Sequence, residues 1–341
     1  MRLWSLMKAI LLKKYGKPDI LKVSEVDPPT IGSHDLLVKI HYAGVNYADL
    51  LSRQGLYSWA PKLPYILGLE ASGIVEKVGN QVTKFKVGDR VIVGKNSGGY
   101  AEYISVHEDF ALSPPSNYDL KESASFVATF FTAWLSLTEM ARVRAGEVLL
   151  VHSGAGGVGT AAIKLGKALG LKVYATTGSP HKMKLIEELG AIPLSYSNFD
   201  VKLDEKPEII LETMGGEVFR KSMAILAPMG RLVSIGGTSI QVNKLNPISL
   251  FKAWRALPRV AFKDLLRNSK GFMALHVGYL RKFPERIREP WEKLVALVEE
   301  QDIRPTIDPE GIFPLENAAD AHRYIHARKN RGKVLLKIQD S

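Results

Sequence analysis

The chain has 341 residues, 46% hydrophobic and 24% charged, ordinary values for a soluble globular protein with room for two cored domains. It has no cysteine, which excludes disulfides, a thiolate nucleophile and every cysteine-ligated zinc site, and fits a reducing, cytoplasmic compartment. The net charge of +11 favours anionic partners, but the basic residues are spread along the chain, so a nucleic-acid partner is not expected. No apolar run reaches the ~18 residues of a transmembrane helix. Met1–Leu6 lacks the longer apolar core and cleavage site of a signal peptide, and Met7 is an alternative start.

Residues 7–115 read as β-rich. Short alternating runs such as Leu36–His41, Ile74–Val78 and Arg90–Val93 are separated by Gly, Pro and Asp turns. Residues 123–139 have helical periodicity. From 147 the pattern becomes strand–helix alternation, with strands expected at 148–153, 171–177, 208–212, 231–236 and 272–277. Helices are expected at 157–169, 180–189 and 217–226, which is the signature of a parallel sheet. Helices near 284–300 and 316–328 then lead to a last strand, Lys333–Ile338. The expected architecture is α/β. A doubly wound parallel sheet over 129–280 is inserted into a β-rich domain made of 1–128 and 281–341.

Gly154-Ala155-Gly156-Gly157-Val158-Gly159 follows the apolar run Val148–Ser153 and precedes a helical pattern. Strand, glycine turn and helix stand in the order of the dinucleotide fingerprint G-x-G-x-x-G. Gly154 permits the tight turn, Gly156 lets a pyrophosphate approach the backbone, and Gly159 lets the helix pack on the sheet. The helix N-terminus then attracts the phosphates. An unphosphorylated ribose would be held by an acid about 20 residues past the glycines. Here Thr177, Gly178, Ser179 and Lys182 follow the second strand, and no carboxylate appears before Glu187. Hydroxyl donors and a cation suit a 2′-phosphate, so the expected cofactor is NADP(H). Lys182 read alone is a solvated lysine on a helix's first turn. Gly236 and Gly237 end another expected strand, where an open α/β sheet binds its ligand.

Two further features are ambiguous. His322 and His326 stand four apart on an expected helix, a chelating spacing, but no third ligand is evident and no metal is expected. Over 246–270, Phe251, Trp254, Leu257, Phe262, Leu265 and Leu266 are interspersed with Lys252, Arg255, Arg259, Lys263 and Arg267. Such a segment packs its apolar side over a substrate cleft or dimer contact, the preferred reading, or lies on a membrane.

Four stretches together carry a family resemblance: Gly44-Val45-Asn46-Tyr47-Ala48-Asp49, Gly68-Leu69-Glu70-Ala71-Ser72-Gly73, Gly88-Asp89-Arg90-Val91 and Ala155–Gly159. The chain resembles the medium-chain dehydrogenase/reductase superfamily, and within it the zinc-independent quinone oxidoreductase group that includes zeta-crystallin. Gly55-Leu56-Tyr57, Ala274–Tyr279 and Arg331-Gly332-Lys333-Val334 look closest to the vesicle amine transport protein branch. The resemblance implies a GroES-like catalytic domain carrying a Rossmann insert. The positions that hold catalytic zinc in zinc-dependent relatives look like Asn46, Leu69 and Ala128. Two of these have no ligand atom, and an amide is a poor third.

Without a Lewis acid, a quinone or conjugated enone is a better hydride acceptor than an alcohol is a donor, because the product anion is delocalised. The resemblance places Asn46 and Tyr57 near the nicotinamide as catalytic residues, with Asn46 also able to bond the cofactor. It places Thr132 on the nicotinamide side, Tyr196 beside the adenosine phosphate, and Arg328 more weakly on the phosphates. A homodimer is expected. An enoyl-thioester reductase, and a non-enzymatic NADP(H)-binding protein working at a membrane or on RNA, remain alternatives.

Overall fold

The computed structural model describes residues 6–238, 251, 255, 257, 259–280 and 282–339. The chain divides into two compact units, Met1–Ala128 with Val277–Ser341, and Thr129–His276.

The first unit begins with β1 (Met7–Leu12), β2 (Val23–Val26), β3 (Asp35–Val45), β4 (Tyr65–Ile66), β5 (Glu70–Val78), β6 (Arg90–Gly94), β7 (Tyr103–His107) and β8 (Ala111–Leu112). The long strand β3 organises it, pairing antiparallel with both β5 and β7. Its apolar residues Leu36, Val38 and Ile40 alternate along the strand and are fully buried in one core with Ile10, Val91 and Tyr100. Leu37 and His41 on the alternate positions are buried as well, so most of the strand is covered on both faces. β1 forms a small sheet with β2 and β4.

The second unit holds β9 (Val148–Val151), β10 (Lys172–Thr177), β11 (Ile192–Ser195), β12 (Ile209–Glu212), β13 (Arg231–Ser234) and β14 (Gly271–Ala274). They form one parallel sheet in the order β11-β10-β9-β12-β13-β14. This is the dinucleotide-binding order, with its switch point between β9 and β12. Central strands covered on both faces are continuous apolar runs: β9 is Val-Leu-Leu-Val and buried throughout. Helices Gly157–Ala168, Met183–Glu188 and Gly216–Ile225 lie where periodicity expects them. β11 was not expected. It is an edge strand containing Pro193, and Ile192 on it is exposed, so it lacks the apolar run that marks the inner strands.

The helical stretch expected at 123–139 has wide turns over Val127–Phe131 and Leu135–Met140. The Ala141 N–H reaches back five residues to the Ser136 carbonyl at 2.9 Å. The Ser136 and Thr138 hydroxyls donate to the carbonyls of Thr132 and Trp134, at 2.7 and 2.9 Å. Hydroxyls that take carbonyls four residues back loosen the regular ladder, which accounts for the widening.

The chain returns to the first unit with helix Glu285–Glu300, then β15 (Ile307–Pro314), helix Ala318–His326 and β16 (Lys333–Lys337). β16 pairs antiparallel with β3 and parallel with β15, giving a sheet ordered β15-β16-β3-β5-β6-β8. β15 was also unexpected, because Pro309 and Gly311 interrupt it. Among the described residues no helix is long and apolar enough to cross a membrane.

Candidate active site

In the second unit the carboxyl ends of the parallel strands gather most of the residues expected to hold the cofactor. The loop after β9 carries Gly154, Gly156, Gly157, Val158 and Gly159. Gly156 is extended (φ −86°, ψ 175°) and caps helix Gly157–Ala168 without a side chain. That leaves the helix's first N–H groups open to a phosphate. A Cβ on Gly159 would lie 2.2 Å from the Ser153 carbonyl oxygen and 2.8 Å from Gly154 Cα, so only glycine permits this loop. Ser153 is left-handed (φ 55°). Its hydroxyl lies 3.0 Å from Thr213 Oγ1, joining the ends of β9 and β12 across the switch point.

Thr177 ends β10, and its hydroxyl accepts the Ser179 N–H at 3.3 Å, shaping the turn that holds Gly178. Lys182 follows on the turn Pro180–Lys182 and is buried, so the solvated-lysine reading does not hold. Tyr196, just past β11, accepts the Ser153 N–H on its hydroxyl at 2.7 Å. A Cβ on Gly178 would lie 3.7 Å from its ring. Tyr196 thus ties the end of β11 to the glycine loop and to the turn after β10. Gly236 and Gly237 follow β13, fixed by the Thr238 N–H bond to the Thr213 carbonyl at 2.9 Å. Thr132 lies half-buried on the short turn Thr132–Trp134. This donor set fits an adenine dinucleotide bearing an extra phosphate.

One group of buried residues supports these loops through hydrogen bonds. His152 lies between Thr176 Oγ1 (2.9 Å) and Ser222 Oγ (2.7 Å), and burial pushes its pKa down to about 3. Glu212 accepts the N–H groups of Met214 and Gly215, both at 2.7 Å, which shapes the loop after β12.

Asn46, Tyr57 and Arg328 belong to the first unit, so the residues expected at the cofactor do not all share one unit. Asn46 stands at the end of β3, just before helix Tyr47–Arg53. Its Nδ2 donates to Glu70 Oε1 at 3.0 Å, and its Oδ1 accepts from Lys333 Nζ at 2.6 Å. An ammonium only donates, so the amide orientation is fixed, with one Nδ2–H left for another acceptor. Lys333 also donates to Glu70, and the Ala128 N–H completes that carboxylate at 2.8 Å. The Lys333 and Glu70 side chains are only 3% and 1% exposed. Gly44 makes room for them, since a Cβ there would lie 2.3 Å from Glu70 Oε1. Sequence reasoning missed Lys333 and Glu70 as site residues. Both stand in stretches quoted for the resemblance, but 263 residues separate them.

Behind this cluster Asp49 is fully buried. Its Oδ2 accepts the Asn46 N–H at 2.8 Å, and the Tyr100 hydroxyl is a further partner of the carboxyl. Burial raises its pKa from 3.8 to about 7, against the lowering pull of the Asn46 N–H and the Lys333 charge. A raised carboxyl pKa means that the folded state prefers the proton. That contribution to stability is fully present below about pH 4 and is lost as pH rises through about 7. Asp49→Asn keeps an acceptor for the Asn46 N–H and cannot ionise. Compared with this variant, the parent should lose at least about 1 kcal/mol of unfolding free energy between pH 5 and 8. Urea melts of both proteins at the two pH values check it.

Tyr57 lies half-buried in the loop after helix Tyr47–Arg53. Its phenol pKa is raised by burial, and further by the charges of Asp49 and Tyr279. Arg328 is exposed and left-handed (φ 54°) beyond helix Ala318–His326, and its charge bears on Tyr47. His322 is buried with Nε2 3.4 Å from the Tyr100 hydroxyl, whereas His326 on the same helix is exposed. The two histidines therefore do not face one site. In 246–270, Lys252 and Trp254 lie outside the described residues, while Phe262 and Leu266 on helix Phe262–Asn268 are exposed.

The Alcohol dehydrogenase GroES-like domain family matches residues 32–116, and the Zinc-binding dehydrogenase family matches residues 190–336. The chain is 36% identical over 336 residues to the quinone oxidoreductase of Sus scrofa, covering 97% of this chain and 98% of that protein. It is 32% identical over 341 residues to the synaptic vesicle membrane protein VAT-1 homolog of Homo sapiens, covering 97% and 86%. The crystal structure of Escherichia coli quinone oxidoreductase complexed with NADPH superimposes with a TM-score of 0.85 at 26% identity, covering 98% of this chain and all of that one. The chain belongs to the medium-chain dehydrogenase/reductase superfamily. Quinone oxidoreductases and VAT-1 homologs are both among its relatives.

The residues here do not fit the zinc that the second family's description implies. Leu69 and Ala128 offer no donor atom, and the Lys333 ammonium already holds the Asn46 amide oxygen.

Proposed function

We propose that the protein is an NADPH-dependent oxidoreductase that needs no zinc and reduces a quinone or a conjugated enone. The observation that carries the reading is the Asn46–Glu70–Lys333 cluster. It holds one amide N–H fixed, next to a buried cation, at a position where zinc-dependent relatives would place metal. NADPH, when bound, supplies a hydride, which is two electrons and one hydrogen, and leaves as NADP⁺. The acceptor oxygen then gains negative charge and takes a proton from water. The chain's own work is to bind and to stabilise. The loop Gly154–Gly159 takes the pyrophosphate, with Thr132 toward the nicotinamide. Thr177, Ser179 and Lys182 take the 2′-phosphate, with Tyr196 flanking it. Asn46 and Tyr57 donate to the acceptor oxygen as its charge develops, a role in which fixed donors are most effective. Acceptor-dependent NADPH oxidation across quinones, alkenals and enoyl thioesters tests the reading. Reduction of enoyl thioesters alone would shift it to the thioester class.

Cofactor choice gives a second test. With no acid between β10 and Glu187 and a buried lysine at position 182, NADPH should bind ahead of NADH. Lys182→Ala should weaken NADPH by about 1–3 kcal/mol, the range for hydrogen bonds to charged groups, and leave NADH almost unchanged. Titration calorimetry with both nucleotides measures it. Equal affinities in the parent would remove the basis for NADP.

A further inference from the structure

A chain of buried side chains leads from Asp49 to a distant part of the first unit. Asp49, Tyr100 and His322 are each 0% exposed. Asp49 Oδ2 accepts the Asn46 N–H at 2.8 Å, and the Tyr100 hydroxyl is a second partner of the carboxyl. The same hydroxyl lies 3.4 Å from His322 Nε2, with the two rings edge-on at 85° and 6.0 Å apart. Tyr100 itself is pinned. Its N–H donates to the Leu67 carbonyl at 2.8 Å, and its carbonyl accepts the Ile10 N–H at 2.9 Å. Its ring packs on Gly68, where a Cβ would lie 2.4 Å from the ring carbon Cδ1.

The protons along this chain have one consistent order. Burial, and then the charge of Arg53, push the His322 pKa down to about 3, so the ring is neutral and carries one N–H. Nδ1 has no hydrogen-bond partner among the described residues. A buried lone pair is left alone at less cost than a buried N–H, which places the proton on Nε2. Burial keeps the Tyr100 phenol protonated. A hydroxyl can accept one bond while donating another. His322 therefore donates to Tyr100, Tyr100 donates to Asp49, and the Asn46 N–H ends on the same carboxyl. Apolar side chains of equal volume would fill this core without three buried polar groups to satisfy.

We propose that Tyr100 and His322 are positioning residues, which hold the main chain of Asn46 through Asp49 while Glu70 and Lys333 hold its side chain. The consequence for turnover rests on the oxidoreductase reading. A donor to developing charge must stay within about 0.5 Å of its place, and an amide fixed only at its tip still swings with its backbone.

The test compares the parent with Tyr100→Phe, His322→Leu and His322→Gln. Two-dimensional NMR follows the Asn46 backbone amide from about pH 5 to 9. NADPH-dependent reduction of 2-methyl-1,4-naphthoquinone gives kcat and KM, and melting temperature reports on folding. In the parent the amide should titrate with Asp49, whose pKa burial lifts to about 7. Lys333, Glu70 and Tyr100 face that carboxyl, and its charge bears on Tyr57 and Tyr65. Tyr100→Phe removes a hydrogen bond that favours the ionised form, so the midpoint should move to higher pH. Its kcat should fall about 3- to 10-fold, with KM for NADPH unchanged. His322→Leu should act in the same direction and less strongly. His322→Gln, whose side-chain N–H can replace Nε2–H, should recover most of the loss. A merely structural role would lower melting temperatures without moving the midpoint. An unmoved midpoint in Tyr100→Phe, or a kcat unchanged while the midpoint moves, would overturn the proposal. If Tyr100→Phe fails to fold, the two His322 variants decide, and equal behaviour of Leu and Gln there would overturn it. If the midpoints move as expected but the parent reduces no quinone, the hold on Asn46 stands and the oxidoreductase reading falls.

Discussion

Lys333→Met should destabilise the protein by about 3–5 kcal/mol, the range for breaking a buried ion pair by removing one partner. The methionine preserves most of the aliphatic volume, so the loss falls on electrostatics. Glu70 would remain nearly inaccessible to water, still bonded to the Asn46 amide and the Ala128 N–H but without its counter-charge. Those two hydrogen bonds soften the penalty and place the effect toward the lower end of the range. Glu70→Gln in the same chain removes the orphaned charge while keeping an acceptor for the Ala128 N–H. The double variant should therefore recover at least half of the lost stability. Urea unfolding followed by circular dichroism gives both values. A double variant no more stable than Lys333→Met would locate the loss in packing and not in the uncompensated carboxylate.

The same cluster shows where sequence reading stops. The dinucleotide unit was legible because its information is local. An apolar run, a glycine turn and a helical repeat stand next to one another over residues 148–168, and the physics that links them acts over a few residues. Strands β11 and β15 were not legible, since Pro193, Pro309 and Gly311 erase the alternation that marks a strand, and only pairing with a neighbour makes them extended. Lys182 could be placed beside the turn, but its burial depends on how the turn folds over it. Asn46 was singled out as a candidate through the resemblance. What holds it was not, because Lys333 reaches it from β16, 287 residues away, by a pairing between β16 and β3 that no local pattern encodes. The wide helical turns at 127–140 were read as regular helix, for the hydroxyl-to-carbonyl bonds that loosen them leave the periodicity intact.

Asn46→Ala should lower acceptor turnover by about 10²–10³, equivalent to 2.7–4 kcal/mol, as for removal of one donor from an oxyanion site. NADPH affinity should fall far less, because the loop Gly154–Gly159 and Lys182, proposed to hold it, belong to the second unit. The amide is held by Glu70 and Lys333 before any acceptor arrives, so little reorganisation is spent at the moment of charge development. A loss confined to kcat identifies a contact made chiefly in the transition state, whereas a loss confined to KM identifies uniform binding. Tyr57→Phe should act in the same direction and less strongly, since the ring stays and only the hydroxyl goes. Burial, the largest cause, raises its phenol pKa further above the usual tyrosine value, so it stays protonated and donates a hydrogen bond. Steady-state kinetics with a reducible quinone, alongside calorimetric NADPH binding, separates these effects. Turnover unchanged in both variants would mean that the acceptor oxygen lies elsewhere. NADPH binding lost together with turnover would move Asn46 from the acceptor to the cofactor.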